Sequence, residues 1–102
     1  MYMKKTKSDI QIELLAKKLL LSADYNRLRI LCTIFCFKKC CVSDIAERLG
    51  ISVAIASHHL KVMSKNDLLF SERSGKKICY SLADNSFAKD IKKLICKYKN
   101  HC

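Results

Sequence analysis

Seven cysteines are the residues of this sequence with the most distinctive chemistry, and they stand at positions 32, 36, 40, 41, 79, 96 and 102. Thiolates bind soft metal ions and metalloids, and they react with oxidants and reactive sulfur. The odd count fits reduced thiols better than a framework of disulfides. The sequence therefore predicts thiols that are available for sensing or binding.

The second feature is a strong positive charge, because Lys and Arg total 20 against 9 Asp and Glu, a formal net charge of +11. Such an excess suits a polyanion, since neutralised phosphates release condensed counterions. Nucleic acid is the first expectation, and an anionic membrane surface or a merely solubilising lysine-rich surface are the alternatives. No apolar run approaches the ~20 residues that span a bilayer. The N-terminus lacks a signal-peptide pattern, which predicts a cytoplasmic protein with no membrane partner.

A single mostly helical domain over residues 1–102, in the order α-α-α-α-β-β-α, is predicted to position these side chains. Residues 1–7 are a basic lead to a first helix, which Ser8 or Asp9 caps and which reaches about Leu21. A second helix follows from Asp24 to about Phe37. Four residues spaced i, i+3, i+4, i+7 predict its buried face, namely Leu28, Leu31, Cys32 and Phe35.

The middle of the chain predicts a helix-turn-helix followed by a β-hairpin. Ser43 is the expected N-cap of a short third helix, and Gly50 the left-handed residue that ends it. Ser52 is expected to cap a fourth helix, which runs to about Asn66. Two strands then meet at the turn around Gly75, and apolar side chains alternate along the second one at positions 78, 80 and 82. A last helix covers residues 84–100.

The fourth helix and the hairpin carry the residues that suit DNA. One side of the helix is expected to pack on the third helix, with Ala56, His59, Leu60 and Met63. The other side is small, polar and basic, which suits a major groove about 12 Å wide. The cationic hairpin tip suits phosphates or an adjacent minor groove. The predicted DNA contacts are Ser52, Ala54, Ser57, His58, Lys61, Lys65, Arg73, Lys76 and Lys77. The alternative is an ordinary solvated charged surface.

Four segments together resemble the ArsR/SmtB family of bacterial repressors over about residues 10–100: DYNRLRILCTI, CCVSDIAERLGIS, ASHHLKVM and GKKICYSL. The resemblance implies a homodimeric winged helix-turn-helix whose first and last helices form the dimer interface. It also implies double-stranded DNA with an inverted-repeat operator as partner. Release is expected when a metal, a metalloid or an oxidant is sensed.

The metal-sensing motif of that family, E-L-C-V-C-D, is only half present. Residues 39–44 are KCCVSD, so Cys41 matches one motif cysteine and Ser43 replaces the other. A soft ion such as As(III) prefers about three thiolates, which makes Cys36 and Cys40 candidate ligands beside Cys41. Alternatively, Cys40 is a small apolar core residue. The family's zinc site is expected to be absent, because only Asp84 matches, and Ser86, Lys97 and Asn100 hold its other positions.

A further family mode pairs a thiol of the second helix with one near the end of the last helix to sense persulfide or oxidant. Cys32 matches the first. Cys102 continues the apolar stripe of the last helix, whereas the lysines around Cys96 favour a thiolate there, so both remain candidates for the second. Cys79 is given no role.

The sequence thus predicts a homodimeric repressor, not an enzyme, that leaves its operator when cysteines bind a soft metal ion or metalloid, or react with reactive sulfur or an oxidant. In the redox case no cofactor is bound. One alternative is a repressor of the same family without a functional sensor. The other is a thiol-based metal buffer or redox protein, which would show no salt-sensitive binding to duplex DNA.

Overall fold

The computed structural model describes residues 4–99. Within them the elements are α1 (Lys7–Ser22), α2 (Tyr25–Phe37), β1 (Lys39–Cys41), α3 (Val42–Leu49), α4 (Val53–Lys65), β2 (Leu69–Ser74), β3 (Lys77–Leu82) and α5 (Ser86–Tyr98). The architecture is the predicted mainly helical winged helix-turn-helix. It differs from the expectation by one added element, the short strand β1.

Side-chain caps fix where four of the described helices begin, α4 among them. Thr6 caps α1, and its hydroxyl accepts a hydrogen bond from the backbone N–H of Asp9, whose carboxylate accepts one from the N–H of Thr6. The prediction that Ser8 or Asp9 caps α1 is therefore wrong, because Asp9 is the reciprocal partner in a capping box. Asp24 and Asn85 cap α2 and α5 through the N–H groups three residues on.

β1 is the element that the sequence pattern did not predict. Lys38, with φ +64°, ends α2 and turns the chain into β1. The strand pairs antiparallel with β3, so that Cys40 lies opposite Tyr80 and Cys41 opposite Cys79, and the sheet order is β1-β3-β2. Because β3 is therefore the central strand, both Cys79 and Tyr80 are buried, whereas simple alternation predicted only the face of Tyr80.

The core lies between α2, the helix-turn-helix and the sheet. On α2 the fully buried residues are Ile30, Leu31 and Ile34. The predicted face was partly wrong, because Cys32 and the apolar residues in line with it are only half-buried and turn toward a surface cavity. α2 is apolar on most of its circumference, so the spacing alone did not select the face that packs on the sheet.

Helices α1 and α5 contrast with this core. α5 ends at Tyr98, short of the predicted residue 100, which lies outside the described residues. Lys18 of α1 lies over the ring of Phe87 at the start of α5, 5.3 Å from its centroid. Large apolar side chains on both helices are exposed in the single chain: Ile10, Ile12, Leu14, Leu15, Leu19, Leu20, Leu94 and Tyr98. Among residues 4–99, no helix has the length and apolar character to cross a membrane.

Candidate nucleic-acid interface and cysteine positions

The turn between α3 and α4 has the predicted geometry. Gly50 adopts φ +68°, ψ +32°, the left-handed conformation that ends a helix, and the N–H of Ile51 donates to the carbonyl of Ala46. Ser52 then caps α4, because its hydroxyl accepts a hydrogen bond from the N–H of Ile55 at 3.0 Å. α3, by contrast, begins after Cys41 with no side-chain cap, so the predicted role of Ser43 is wrong.

The inner side of α4 packs as its period predicted. Ala56, Leu60 and Met63 are fully buried against the core. His59 is half-buried, and its Nδ1 accepts a hydrogen bond from Nε of Arg27 at 3.2 Å. Burial lowers the pKa of His59 below its usual value, which favours the neutral imidazole that this hydrogen bond requires.

Arg27 joins three helices through one guanidinium. While Nε donates to His59 of α4, Nη1 donates to the carbonyl of Leu21 in the last turn of α1, at 3.1 Å. Arg29, two residues further along α2, donates through Nη2 to the carbonyl of Leu49 at the end of α3, at 2.8 Å. α2 therefore holds α1, α3 and α4 by charge-assisted hydrogen bonds.

The wing and the outer side of α4 meet in one cleft of about 300 Å³. Ser57 of α4 and two wing lysines, Lys76 and Lys77, line it together. Residues at the start of α3 and α4 complete the wall, namely Cys41, Val42, Ser43 and Val53, with Ile78 from the wing. The fold thus brings three of the predicted DNA contacts, from two separate elements, to a single concave surface.

The other predicted contacts flank this cleft on exposed positions. These residues are Ser52, Ala54, His58, Lys61 and Lys65 around α4, and Arg73 in β2. Ser52 is a special case, because its hydroxyl already serves the helix cap. The acidic residue of the wing, Glu72, pairs with Lys39 at 3.0 Å. Within residues 4–99, no carboxylate pairs with the basic residues of α4 or of the wing tip.

The cysteines predicted to bind a metalloid are not available as a set. Cys40 lies in the core, with its sulfur 4.0 Å from the carbonyl oxygen of Thr33, and burial raises the pKa of its thiol. Cys41 forms a disulfide with Cys79. In the part of the chain that the structure describes, no three His, Cys, Asp or Glu side chains group as metal ligands. The interpretation of Cys40 as a small apolar core residue is the one that agrees with its burial.

Cys79 is the cysteine that sequence reasoning missed. It was given no role, and all seven cysteines were expected to be reduced, which is wrong for Cys41 and Cys79 in this structure. The reason is the unpredicted strand β1, which places the two residues directly opposite each other across the sheet. The only sequence signal was the position of Cys41 just before the third helix, and it carries no information about a partner 38 residues away.

Cys32 lies at a different place, in a cavity of about 470 Å³ on the outer side of α2. The cavity is mostly apolar and is lined by Tyr25, Leu28, Arg29, Cys32, Thr33, Cys36, Phe37, Leu49 and Lys99. Cys96 is exposed on α5 and does not line this cavity. Cys102, the other candidate partner of Cys32, lies outside the described residues.

Comparison with known proteins gives a consistent assignment for the helix-turn-helix. Residues 24–69 match the family model for the bacterial regulatory protein, arsR family. The chain is 35% identical over 63 residues to a transcriptional repressor SmtB homolog from Synechocystis, covering 62% of this chain and 47% of that protein. It is 38% identical over 70 residues to the cadmium resistance transcriptional regulatory protein CadC from Listeria innocua, covering 69% and 54%. The chain thus spans about half the length of these curated relatives.

The fold extends the likeness to the whole chain. The crystal structure of NolR from Sinorhizobium fredii superposes with a TM-score of 0.80, at 22% identity and with 100% of both chains covered. At that identity the likeness shows the fold alone. The matched family and these relatives are regulators, not enzymes.

Proposed function

We propose that the chain is a member of the ArsR family of bacterial regulatory proteins, whose family model matches residues 24–69, and that it is a homodimeric transcriptional repressor that binds double-stranded DNA in the cytoplasm. The cleft shared by Ser57, Lys76 and Lys77 is the observation that carries this proposal. It joins the reading helix to a cationic wing on a chain with a net charge of +11. All 102 residues form one functional domain.

In the proposed complex α4 enters the major groove, whose width of about 12 Å accepts a helix. Ser57 and His58 contact base edges, because hydroxyl and imidazole groups both donate and accept hydrogen bonds. Lys61 and Lys65 follow on the same side and contact phosphates, which fixes the register of the helix. The wing residues Arg73, Lys76 and Lys77 contact the backbone beside the groove, and Ser52 and Ala54 allow close approach of the helix start.

The homodimer is proposed from the apolar surface of α1 and α5. Eight large apolar side chains on these two helices are exposed in the single chain, and a second copy of the same surface would cover them. A two-fold axis there presents two α4 helices to DNA. The operator is therefore an inverted repeat, with half-sites about one helical turn or a multiple of it apart.

The signal is proposed to act through Cys32, with Cys96 or Cys102 as its partner. Cys32 lines the mostly apolar surface cavity on the outer side of α2, where a persulfide or a soft ion would lie among apolar side chains. Cys36 lines the same cavity four residues further along α2 and adds a second sulfur. Modification there is coupled to DNA through α2, which contacts α1, α3 and α4. Coupling free energies of about 1–3 kcal/mol are typical of such links.

DNA binding is tested by fluorescence anisotropy with a labelled duplex from the region upstream of the gene and with a scrambled duplex. We expect the affinity to fall steeply between 50 and 200 mM salt, as it does when several phosphates are neutralised. Lys61→Ala should weaken binding at least about fivefold on both duplexes and reduce the salt slope by about two, since each chain of the dimer loses one phosphate contact. Ser57→Ala or His58→Ala should instead reduce the difference in affinity between the upstream duplex and the scrambled duplex.

Lys93→Ala is the matched control for Lys61→Ala, because Lys93 is an exposed lysine of α5, on the side away from Ile91. It should leave both affinity and salt slope unchanged. A flat salt response of the wild type, or equal losses for the two lysine variants, would contradict the proposed interface.

The sensor is tested in the same assay by adding Zn(II), Cd(II), As(III) or persulfide before and after thiol blocking. Cys32→Ser should keep full DNA affinity and lose the response. Continued release of this variant by persulfide would exclude Cys32 as the sensing thiol. Cys96→Ser separates the two candidate partners, since it should lose the response only if Cys96, and not Cys102, completes the pair.

A further inference from the structure

The disulfide between Cys41 and Cys79 joins the two parts of the DNA-binding surface. Cys41 ends β1 and immediately precedes the first turn of α3, and Cys79 lies in β3 of the wing. The two residues are register partners across the sheet, with their Cα atoms 3.9 Å apart. The bond thus connects the first helix of the helix-turn-helix to the wing.

The segment enclosed by this bond is the DNA-reading part of the chain. Between the two cysteines, 38 positions apart, lie α3, α4, β2 and the wing tip. All nine residues proposed to contact DNA are within the enclosed segment. On the inner face of the sheet, Cys40 of β1 and Tyr80 of β3 are register partners that are both buried in the core. On the exposed face, the contact between β1 and the wing is an ion pair between Lys39 and Glu72, which contributes little stability.

The two sulfurs differ in their access to solvent. Cys41 is half-buried and lines the cleft that holds Ser57, Lys76 and Lys77. Cys79 is 6% exposed and lies within the central strand. A small reagent in the cleft therefore reaches Cys41 first, while Cys79 is held at bonding distance behind it.

We propose that Cys41 and Cys79 form a reversible dithiol–disulfide switch, in which the disulfide increases the affinity of the protein for duplex DNA. The proposal rests on the DNA-binding part of the proposed function and is independent of the signal at Cys32. In the oxidised form the wing is fixed relative to α3 and α4. In the reduced form the base of the wing stays packed in the core through Leu69 and Tyr80, whereas its exposed tip has more freedom relative to α3 and loses that freedom when DNA binds.

The exchange reaction uses a small-molecule disulfide as oxidant. The Cys41 thiolate attacks one sulfur of that molecule, forming a mixed disulfide and releasing one small thiol. The Cys79 thiolate then attacks the sulfur of Cys41 and releases the second small thiol. The two protein thiols lose two electrons and two protons, and the small disulfide gains both, becoming two thiols. Reduction by an excess of the small thiol reverses both steps.

The effect on affinity follows from the cost of ordering. A surface that is already fixed in its bound arrangement loses less conformational freedom on binding. Two neutral thiols and one disulfide carry the same charge, so the number of neutralised phosphates is unchanged. We therefore expect an affinity change with the same salt slope in both forms, unlike the change that removal of Lys61 produces.

The test uses the full chain, equilibrated in mixtures of reduced and oxidised glutathione and titrated into the labelled duplex. Mass spectrometry of proteolytic peptides should find the Cys41–Cys79 link in the oxidised sample. Oxidised wild type should bind about fivefold more tightly than reduced wild type, the equivalent of about one side chain ordered in advance. Cys41→Ser and Cys79→Ser should bind like reduced wild type in both buffers, with an unchanged circular dichroism spectrum as the check on folding.

Ser71→Ala is the control, because it changes an exposed side chain of the wing without removing a sulfur, and it should keep the full redox response. The switch is refuted if the linked peptide is missing, if the oxidised form binds no more tightly than the reduced form, or if Cys79→Ser still responds. A peptide link without salt-sensitive binding in either form would overturn the proposed function, and the effect on affinity with it. Binding without a redox response would overturn the switch alone.

Discussion

The DNA-reading half of the protein, formed by α3, α4 and the wing, differs from the pair α1 and α5 in where its apolar side chains lie. In the reading half Ile45, Leu60 and Met63 are fully buried within one chain. On the other two helices, Leu20 is 76% exposed and Leu94 50%. The first region buries these side chains in a core that it shares with α2, although Val53, Ile55 and Phe70 are exposed. The second region presents a more extensive apolar surface that one chain leaves uncovered.

This difference separates two kinds of stability. Packing in the reading half contributes to the folding of each chain, whereas the surface of α1 and α5 contributes through association and so depends on protein concentration. Substitutions of the same chemical type should therefore have different effects on folding and on association in the two regions.

The largest effect is expected from removing a fully buried side chain of the reading half. Leu60→Ala should lower the free energy of unfolding by about 3 kcal/mol, because it leaves a cavity between α4 and the core. Leu20→Ala makes the same chemical change on the exposed face of α1 and should cost less than about 0.5 kcal/mol in dilute protein. Urea unfolding at two protein concentrations measures both. If the two variants lost equal free energies of unfolding in dilute protein, the two regions would not differ in how they contribute to the stability of a single chain.

The next effect concerns association rather than folding. Leu94→Lys places a charge in the proposed dimer face and should shift the sedimenting species from two chains to one, of 11.7 kDa. Affinity for the inverted repeat should fall about 100-fold, since a monomer loses the second half-site. The urea midpoint of dilute protein should not change. If Leu94→Lys still sedimented as two chains, the dimer interface would not include this face of α5.

A smaller effect sharpens the assignment of helix starts within the reading half. Ser52→Ala should cost about 1 kcal/mol, because it removes the hydroxyl that accepts from the N–H of Ile55. Ser43→Ala is the matched control near the start of α3, where no side-chain cap is present, and should be close to neutral. Urea unfolding of the two variants should therefore differ, and a similar loss for both would mean that Ser43 also caps.

The smallest effect is a pH dependence that belongs to His59. Its folded pKa lies below the ordinary 6.5, first because it is buried. As the pH falls through 6.5, the unfolded chain therefore takes up the proton first, and the free energy of unfolding decreases. Between pH 7.5 and 5.5 the urea midpoint should fall in wild type and in His58→Ala, and less in His59→Gln. If the urea midpoint fell equally in wild type and in both variants, the pH dependence would come from titratable groups other than His59.

Local patterns made much of this fold predictable from the sequence. Gly50 and Ser52 were identified because a left-handed turn and a helix cap each depend on one residue and its immediate neighbours. The inner face of α4 followed from its 3.6-residue period. The α2 face was partly mistaken, because Ile30 and Ile34 compete with Leu28 and Cys32 on a helix that is apolar on most sides.

Non-local pairing accounts for what the sequence did not reveal. β1 has three residues, too few to show a strand period, and it forms because β3 offers hydrogen-bonding partners. The link between Cys41 and Cys79 depends on that pairing, as does the loss of Cys41 from the predicted metalloid site. The meeting of Ser57 with the wing lysines required the packing of the wing on α4, although each element was predicted separately.

The guanidinium of Arg27 has a thermodynamic consequence for the proposed dimer on DNA. It holds the last turn of α1 and the half-buried His59 of α4 at the same time. If contact with an operator shifts α4 between two positions, the end of α1 shares that shift, and so does the association surface that α1 carries. Coupling of two binding equilibria is reciprocal. If binding to DNA increases the association constant of the two chains by some factor, association of the chains therefore increases the affinity for DNA by the same factor.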